Sequence, residues 1–329
     1  MSLHIGITPW DLGSAHTAHW LAEQAAFAEQ LGFDSFFLPE NHFTGRGAVP
    51  EPLMLLAAVA ARTRRIRLGT TSLLLPVRHP LQTAEQVAVL DQLSEGRVIL
   101  GLGRGFQAPL YRAFDVALAD KRRVFAEVLA LMQRAWRGES VVDGGEPVLL
   151  APLPVQQPHP PLWVAAFGPK ALAQTAGLGL PYLASPMETL DTLAANYASL
   201  AVPSAGGVVA GAADGVGAVT PGPAQAHPDG PGAVPVMRTV FVAEDANEVA
   251  RVRSLLAAPA PVGTGVLRRA ADVSVDDWAI IGTPDEVRAR IETYRARIGM
   301  THLIATRLRV PGVDSMLQRR SLTLLAGLR

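Results

Sequence analysis

The stretch Ile66–Phe106 reads IRLGTTSLLLPVRHPLQTAEQVAVLDQLSEGRVILGLGRGF. Two short runs rich in β-branched and aliphatic residues, Ile66–Leu75 and Arg97–Leu102, flank a helical pattern from about Leu81 to Leu93. The runs have the length and composition of buried strands, and Val87, Leu90 and Leu93 recur at helical spacing. Strand, helix, strand predicts a βαβ unit with a right-handed crossover. Each strand ends in small or polar residues: Gly69-Thr70-Thr71-Ser72 on the first, Gly101-Leu102-Gly103-Arg104-Gly105 on the second. A parallel sheet binds ligands at its C-terminal strand ends, so both clusters fall where a ligand would sit.

The same alternation runs outward from this unit. Further strands are expected at Leu3–Ile7, Ser35–Leu38, Leu162–Ala166, Pro181–Ala184, Val236–Val242 and Thr301–Ala305, separated by helical patterns. Helix one should stop at Gly32. Thr283-Pro284-Asp285-Glu286 is a helix start, with a capping threonine, proline at the first position and acids in the first turn; that helix should end at Gly299. Eight strands alternating with helices predict an α/β fold, a closed (β/α)8 TIM barrel. A doubly wound open sheet is the competing arrangement. The 329 residues suit one barrel domain with insertions. Residues 138–159 look like an insertion with irregular strands. Residues 201–235, nearly all Gly, Ala, Pro, Val and Ser without a period, look like a long mobile loop that would serve as a lid.

Composition narrows the function. Charges balance at 29 basic and 29 acidic residues, which argues against nucleic-acid or membrane-surface partners. There is no cysteine, so thiolate metal sites and cysteine nucleophiles are excluded. The start MSLHIGITPW lacks the basic and apolar regions of a signal peptide, and no apolar run reaches membrane-spanning length, so a cytoplasmic protein is expected. No metal site is expected: only His16 and His19 lie close together, at a loop–helix junction.

Four groups at the strand ends carry candidate chemistry. After strand two, Glu40-Asn41-His42-Phe43 offers His42 as a general acid or base, or else as a loop histidine bonded to a carbonyl. Glu40 would orient His42 or pair with an arginine. Thr71 and Ser72 are small enough for a flat ring to lie against the backbone, or else are ordinary strand-forming residues, and Leu73–Leu75 would supply an apolar wall. Gly101–Gly105 lacks the third glycine of the dinucleotide fingerprint, the sixth position being Phe106. Its content is instead close ligand approach and the cationic fork of Arg104, for a phosphate or for solvent. Gly168 and Pro169 open a helix whose N-terminal amides form an anion site, with Lys170 as an added point charge or else a solvated lysine.

Taken together, LGFDSFFLPENHF (Leu31–Phe43), the long central piece Ala60–Gly105, PPLWVAAFGPKAL (Pro160–Leu172), RTVFVAED (Arg238–Asp245) and IIGTPDEVRARIETY (Ile280–Tyr294) resemble, in order, the bacterial luciferase-like flavin-dependent oxidoreductases. The resemblance implies a barrel that binds FMN, or in one branch the deazaflavin F420, in its C-terminal mouth. It implies that Thr71 and Ser72 lie against the flavin ring across a non-proline cis peptide. It implies that Arg104, the Phe106 backbone, Gly168, Pro169 and Lys170 hold the phosphate. Luciferases carry two histidines after the glutamate; here the first is Asn41, which cannot shuttle a proton near neutral pH. His42 then takes the acid–base role. The implied activity is a monooxygenase using reduced FMN, supplied by a separate flavin reductase, and O₂ on a small-molecule substrate, with a homodimer as the assembly. F420-dependent hydride transfer and a non-catalytic flavin-binding partner subunit are the alternatives.

Overall fold

The computed structural model describes residues 2–12, 18–201, 228–258, 273–308 and 310–328. The expected lid falls mostly on residues 202–227, which lie outside the described residues, as does His16. In chain order the elements are β1 (His4–Ile7), α1 (Ala18–Gln30), β2 (Ser35–Leu38), α2 (Pro52–Arg62), β3 (Arg67–Leu74), α3 (Pro80–Leu93) and β4 (Val98–Gly103). Then follow α4 (Ala108–Ala113), α5 (Lys121–Trp136), β5 (Leu162–Ala165), α6 (Pro169–Leu178), β6 (Tyr182–Leu183) and α7 (Leu190–Ala201). The chain closes with β7 (Pro235–Val242), α8 (Ala246–Ala257), α9 (Val275–Trp278), β8 (Ala279–Gly282), α10 (Pro284–Ile298), β9 (His302–Thr306) and α11 (Ser315–Ala326).

The strands form one parallel sheet in the order β6-β5-β4-β3-β2-β1-β9-β7-β8. It curls until Ala184, just past β6, bridges Val236 of β7. The eight expected strands therefore close as a barrel. A ninth strand, β8, was not anticipated. Thr239 pairs with Thr306 of β9 on one side and with Ala279 of β8 on the other, so β8 covers the edge of β7 that the short β6 leaves open.

Local chemistry accounts for the boundaries. Pro52, Pro80, Pro169 and Pro284 sit at the first turns of their helices, where the missing N–H costs nothing. The Glu286 carboxylate accepts from the Thr283 amide at 2.7 Å, and α10 ends on Gly299 in the left-handed conformation. On α3, Val87 and Leu90 are buried but Leu93 is half exposed. Six residues at 100° each turn Leu93 about 120° away from Val87, off the face expected from its spacing. The segment Gly138–Pro161 carries no regular strand; six prolines remove the donors a ladder needs.

Two packed layers result. Most helices bury their apolar faces on the outside of the sheet, as Phe125, Leu129 and Trp136 do from α5. Inside, Phe37, Trp163, Leu183 and Ile304 pack together in the barrel interior. Phe37 fits because its neighbours are glycines: a Cβ at Gly69 would lie 2.1 Å from its ring. At the N-terminal end, buried Asp229 pairs with His302 Nε2 at 2.7 Å and with Arg67, and its carbonyl accepts from Trp163 Nε1 at 2.9 Å. A cavity of about 380 Å³ opens there beside His4, Asp34 and Asp229. The candidate residues lie at the opposite, C-terminal end. Among the described residues no helix is long and apolar enough to cross a membrane.

Candidate active site

The turn after β2 delivers Glu40, and Glu40 organises one side of the barrel mouth. Its side chain is almost wholly buried and ionic in character, so it needs partners. Oε2 accepts from the Leu74 amide at 2.7 Å, and Oε1 accepts from Arg78 Nη2 at 2.8 Å. The same Oε1 lies 2.8 Å from His42 Nε2. Arg78 also reaches Glu51 at 3.3 Å, so the cluster is an ion-pair network rather than a lone carboxylate. Both readings of Glu40 therefore hold at once: it orients His42 and it pairs with an arginine. With a carboxylate facing Nε2, the network assigns the proton of the neutral ring to Nε2 and leaves Nδ1 as acceptor.

Asn41 does a different job. Its Oδ1 accepts from the Val49 amide at 3.0 Å and from the Thr44 hydroxyl at 2.9 Å, and its backbone pairs with Val49. It fastens the loop that presents His42. Around His42 lie Phe114, edge-on at 5.1 Å between ring centroids, and Phe43, tilted at 5.8 Å.

The end of β3 sits between this group and the next. The Thr71–Ser72 peptide is cis. The register between β3 and β4 shifts there, from Thr71–Gly101 to Leu73–Leu102. A Cβ on Gly101 would meet the Thr70 carbonyl at 2.2 Å, and one on Gly103 the Ser72 Oγ at 2.0 Å; the glycines are what allow this close approach. Thr70 donates to the Gly101 carbonyl at 2.8 Å. Thr71 Oγ1 is buried without a hydrogen-bond partner. Leu73 and Leu75 are fully buried in the core outside the sheet, so they do not line the mouth as expected.

Arg104 follows β4. Its side chain packs among β5, α5 and α6: Nη1 donates to the Ala165 carbonyl at 2.9 Å, Nε to Gln174 Oε1 at 2.9 Å, and the guanidinium lies 4.8 Å from the centre of the Phe125 ring. Its own carbonyl accepts from the Tyr111 hydroxyl. Nη2 is buried and has no partner. Burial, with the nearby Arg122 charge, pushes Arg104 down to about 10; it is still a cation at neutral pH. Burial likewise pushes Tyr111 up to about 12, against the pull of Arg104, so its hydroxyl keeps its proton.

Gly168, at φ 81°, caps α6 two residues after Ala166, with nothing within 4 Å of where a Cβ would point. Pro169 and Lys170 are exposed at the first turn, and Phe106 is exposed beyond β4. The structure thus gathers the nine expected residues at one end of the barrel in two groups. His42 and Asn41 stand by β2; Arg104, Phe106 and Gly168–Lys170 stand by β4 and β5; Thr71 and Ser72 lie between. Sequence reasoning missed Arg78, Gln174, Phe125 and Phe114 as their partners. Among the described residues no group of three or more acidic or histidine side chains is placed to hold a metal.

A family model described as luciferase-like monooxygenase matches residues 2–302. Limonene 1,2-monooxygenase of Rhodococcus erythropolis is 35% identical over 140 residues, 42% of this chain and 36% of that protein. The chain spans about half the length, or less, of the curated relatives it matches. The crystal structure of monooxygenase RslO1 from Streptomyces bottropensis superposes with a TM-score of 0.72 at 25% identity, over 99% of this chain and 98% of that one. The oxygenating constituent of 3,6-diketocamphane monooxygenase from Pseudomonas putida, solved with FMN, gives a TM-score of 0.73 at 21% identity over 99% and 97%. That last likeness speaks to the fold alone.

Proposed function

The chain belongs to the luciferase-like monooxygenase family, and from that premise we propose that it is the oxygenase component of a two-component, FMN-dependent monooxygenase. Reduced FMN comes from a separate flavin reductase, and the substrate is a small organic molecule. The observation that carries this reading is the pair of buried, unpartnered polar atoms Thr71 Oγ1 and Arg104 Nη2 on neighbouring strand ends. Leaving such atoms unpaired costs about 1–3 kcal/mol each, more for a charged group. A ligand with a flat polar ring and an anionic tail answers both.

In this reading Thr71 and Ser72 lie against the ring. Arg104, the Phe106 backbone and the Gly168–Pro169 turn hold the phosphate, and Lys170 adds charge from the surface. When bound, the reduced flavin supplies the activation of O₂. The chain's own residues bind and orient it, and they shield the site from water. His42 Nδ1 takes or returns a substrate proton while Glu40 stabilises the charged imidazole. The reading also places the protein in the cytoplasm and as a homodimer. Exposed Met54 on α2 and Val89 and Leu93 on the adjacent α3 favour the dimer, since large apolar side chains on outer helices gain by being covered.

Titration of the protein with FMN and with F420, followed by quenching of ligand fluorescence, tests the assignment. Saturable binding of FMN in preference to F420 is expected. Preference for F420 moves the chain to the deazaflavin branch and ends the oxygenase reading.

A further inference from the structure

Phe43 is a bulky non-glycine residue held at φ 58°, and its ring is 72% exposed. Left-handed backbone is unfavourable for such a residue, and a bare phenyl ring gains nothing by facing water. Its partner Phe114 is 39% exposed at 6.2 Å between ring centroids, and the next residue, Asp115, is also left-handed at φ 54°. Two turns in unfavourable conformations thus bring two phenyl rings to the same imidazole. Phe114 meets His42 edge-on at 73°, and Phe43 tilts at 44°. The charges behind the ring are already matched, Glu40 with Arg78 and Arg78 with Glu51. The exposed Phe43 and Phe114 rings are apolar, and beside them His42, whose side chain is 7% exposed, has Nδ1 as its remaining acceptor.

We infer that Phe43 and Phe114 form an aromatic clamp beside His42 that selects a flat, uncharged hydroxyarene, whose hydroxyl donates its hydrogen to His42 Nδ1. The assignment rests on the active-site reading above and names its substrate class. Glu40 fixes the proton of the neutral imidazole on Nε2, so the free nitrogen can only accept. An O–H donor satisfies it; an ether or a ketone does not. The phenyl rings favour an aromatic partner over a saturated ring of equal size through offset or edge contacts. In proton transfer, the hydroxyl O–H bond breaks, its electron pair stays on the aryl oxygen, and the proton goes to Nδ1. The resulting imidazolium is balanced by Glu40. Phe43 and Phe114 are specificity residues in this account, and His42 alone touches the reacting hydroxyl.

Three matched probes separate the parts: 4-nitrophenol, 4-nitroanisole, which lacks the O–H, and 4-nitrocyclohexanol, which lacks the flat ring. Their affinities for the FMN-loaded protein are measured by calorimetry in slightly acidic buffer, below the pKa of 4-nitrophenol, so that its O–H is intact. In the unmodified protein, 4-nitrophenol should bind about tenfold tighter than 4-nitroanisole, the value of one strong hydrogen bond. It should bind about fivefold tighter than 4-nitrocyclohexanol, the value of the aromatic contacts. His42→Leu should erase the first preference and keep the second. Phe43→Leu with Phe114→Leu should erase the second and keep the first, while near-UV circular dichroism checks the fold of each variant. Equal affinity for the three probes, or binding of none, by protein that binds FMN overturns the clamp. Protein that discriminates the probes but does not bind FMN keeps the clamp and removes the flavin reading instead.

Discussion

His42 Nε2 and Glu40 Oε1 lie 2.8 Å apart, and the same carboxylate oxygen accepts from Arg78 at 2.8 Å. Three residues from two loops thus share one buried oxygen. Removing one partner of a buried ionic network leaves the others uncompensated. Glu40→Gln replaces one of the two accepting oxygens with a donor, which then faces either Arg78 and His42 or the Leu74 amide. It should cost about 3 kcal/mol in denaturant unfolding, and turnover should fall about a hundredfold, the lower range for a lost acid–base function. His42→Leu should lose turnover alike with little change in stability. Equal destabilisation by both would assign His42 to the fold rather than to the chemistry.

The glycines of the interior make a sharper contrast. Gly69→Ala pushes a methyl into the Phe37 ring at 2.1 Å, where the core has no room to give. Overpacking of this kind should lower stability by about 3 kcal/mol. Gly103→Ala meets Ser72 at the end of β3, Oγ at 2.0 Å and Cβ at 2.8 Å. The hydroxyl can rotate away but Cβ cannot, so the strand end at the barrel mouth must shift; stability should fall less than for the core glycine while FMN affinity falls more. Thermal melts and a flavin titration on the two variants check the inversion.

How far these relationships are legible in sequence depends on their range. The βαβ unit of Ile66–Phe106, the capping at Thr283–Glu286 and the stop at Gly299 are local, and each is written within a few residues. The cis peptide at Thr71–Ser72 and the gathering of candidate residues at one barrel end follow the family pattern. Partners are another matter. Arg78 is 38 residues from Glu40, and Gln174 is 70 from Arg104; each pairing is decided by which strand ends become neighbours when the barrel closes. Strand β8 is not legible because Ala279–Gly282 runs on directly from α9, which ends at Trp278, with no turn residue to separate the two. Leu73 and Leu75 lie outside the sheet rather than along the mouth because the shift in register at Ser72 changes the alternation.

Acid sensitivity has a specific contributor at Glu29. Burial raises its carboxyl, but hydrogen bonds from the Ile66, Arg65 and Arg64 amides outweigh this and hold it below the usual range. The folded value is depressed, so the stabilisation is complete above the ordinary carboxylate range and is lost as pH falls through the lowered value. Glu29→Gln should cost about 1 kcal/mol at neutral pH. Its Tm should converge with that of the unmodified protein as the medium is made acidic. Curves that stay parallel to the acid limit would show that Glu29 has no part in the pH dependence.

Association through α2 and α3 is tested by charge. Met54 and Leu93 are 72% and 50% exposed, so replacing both with glutamate leaves the core intact. Light scattering should then report a monomer where the unmodified chain gives a dimer. A dimer that survives both substitutions lies on another face.

The phosphate grip is the centre of the account, and Arg104 is its measurable part. FMN and riboflavin differ only in the phosphate, so fluorescence titration of both ligands against the unmodified protein and Arg104→Ala isolates that contact. The account predicts that the substitution weakens FMN by at least about tenfold, as expected for a charge-assisted hydrogen bond, and leaves riboflavin nearly unchanged. Equal loss for the two ligands, or none for either, would contradict it.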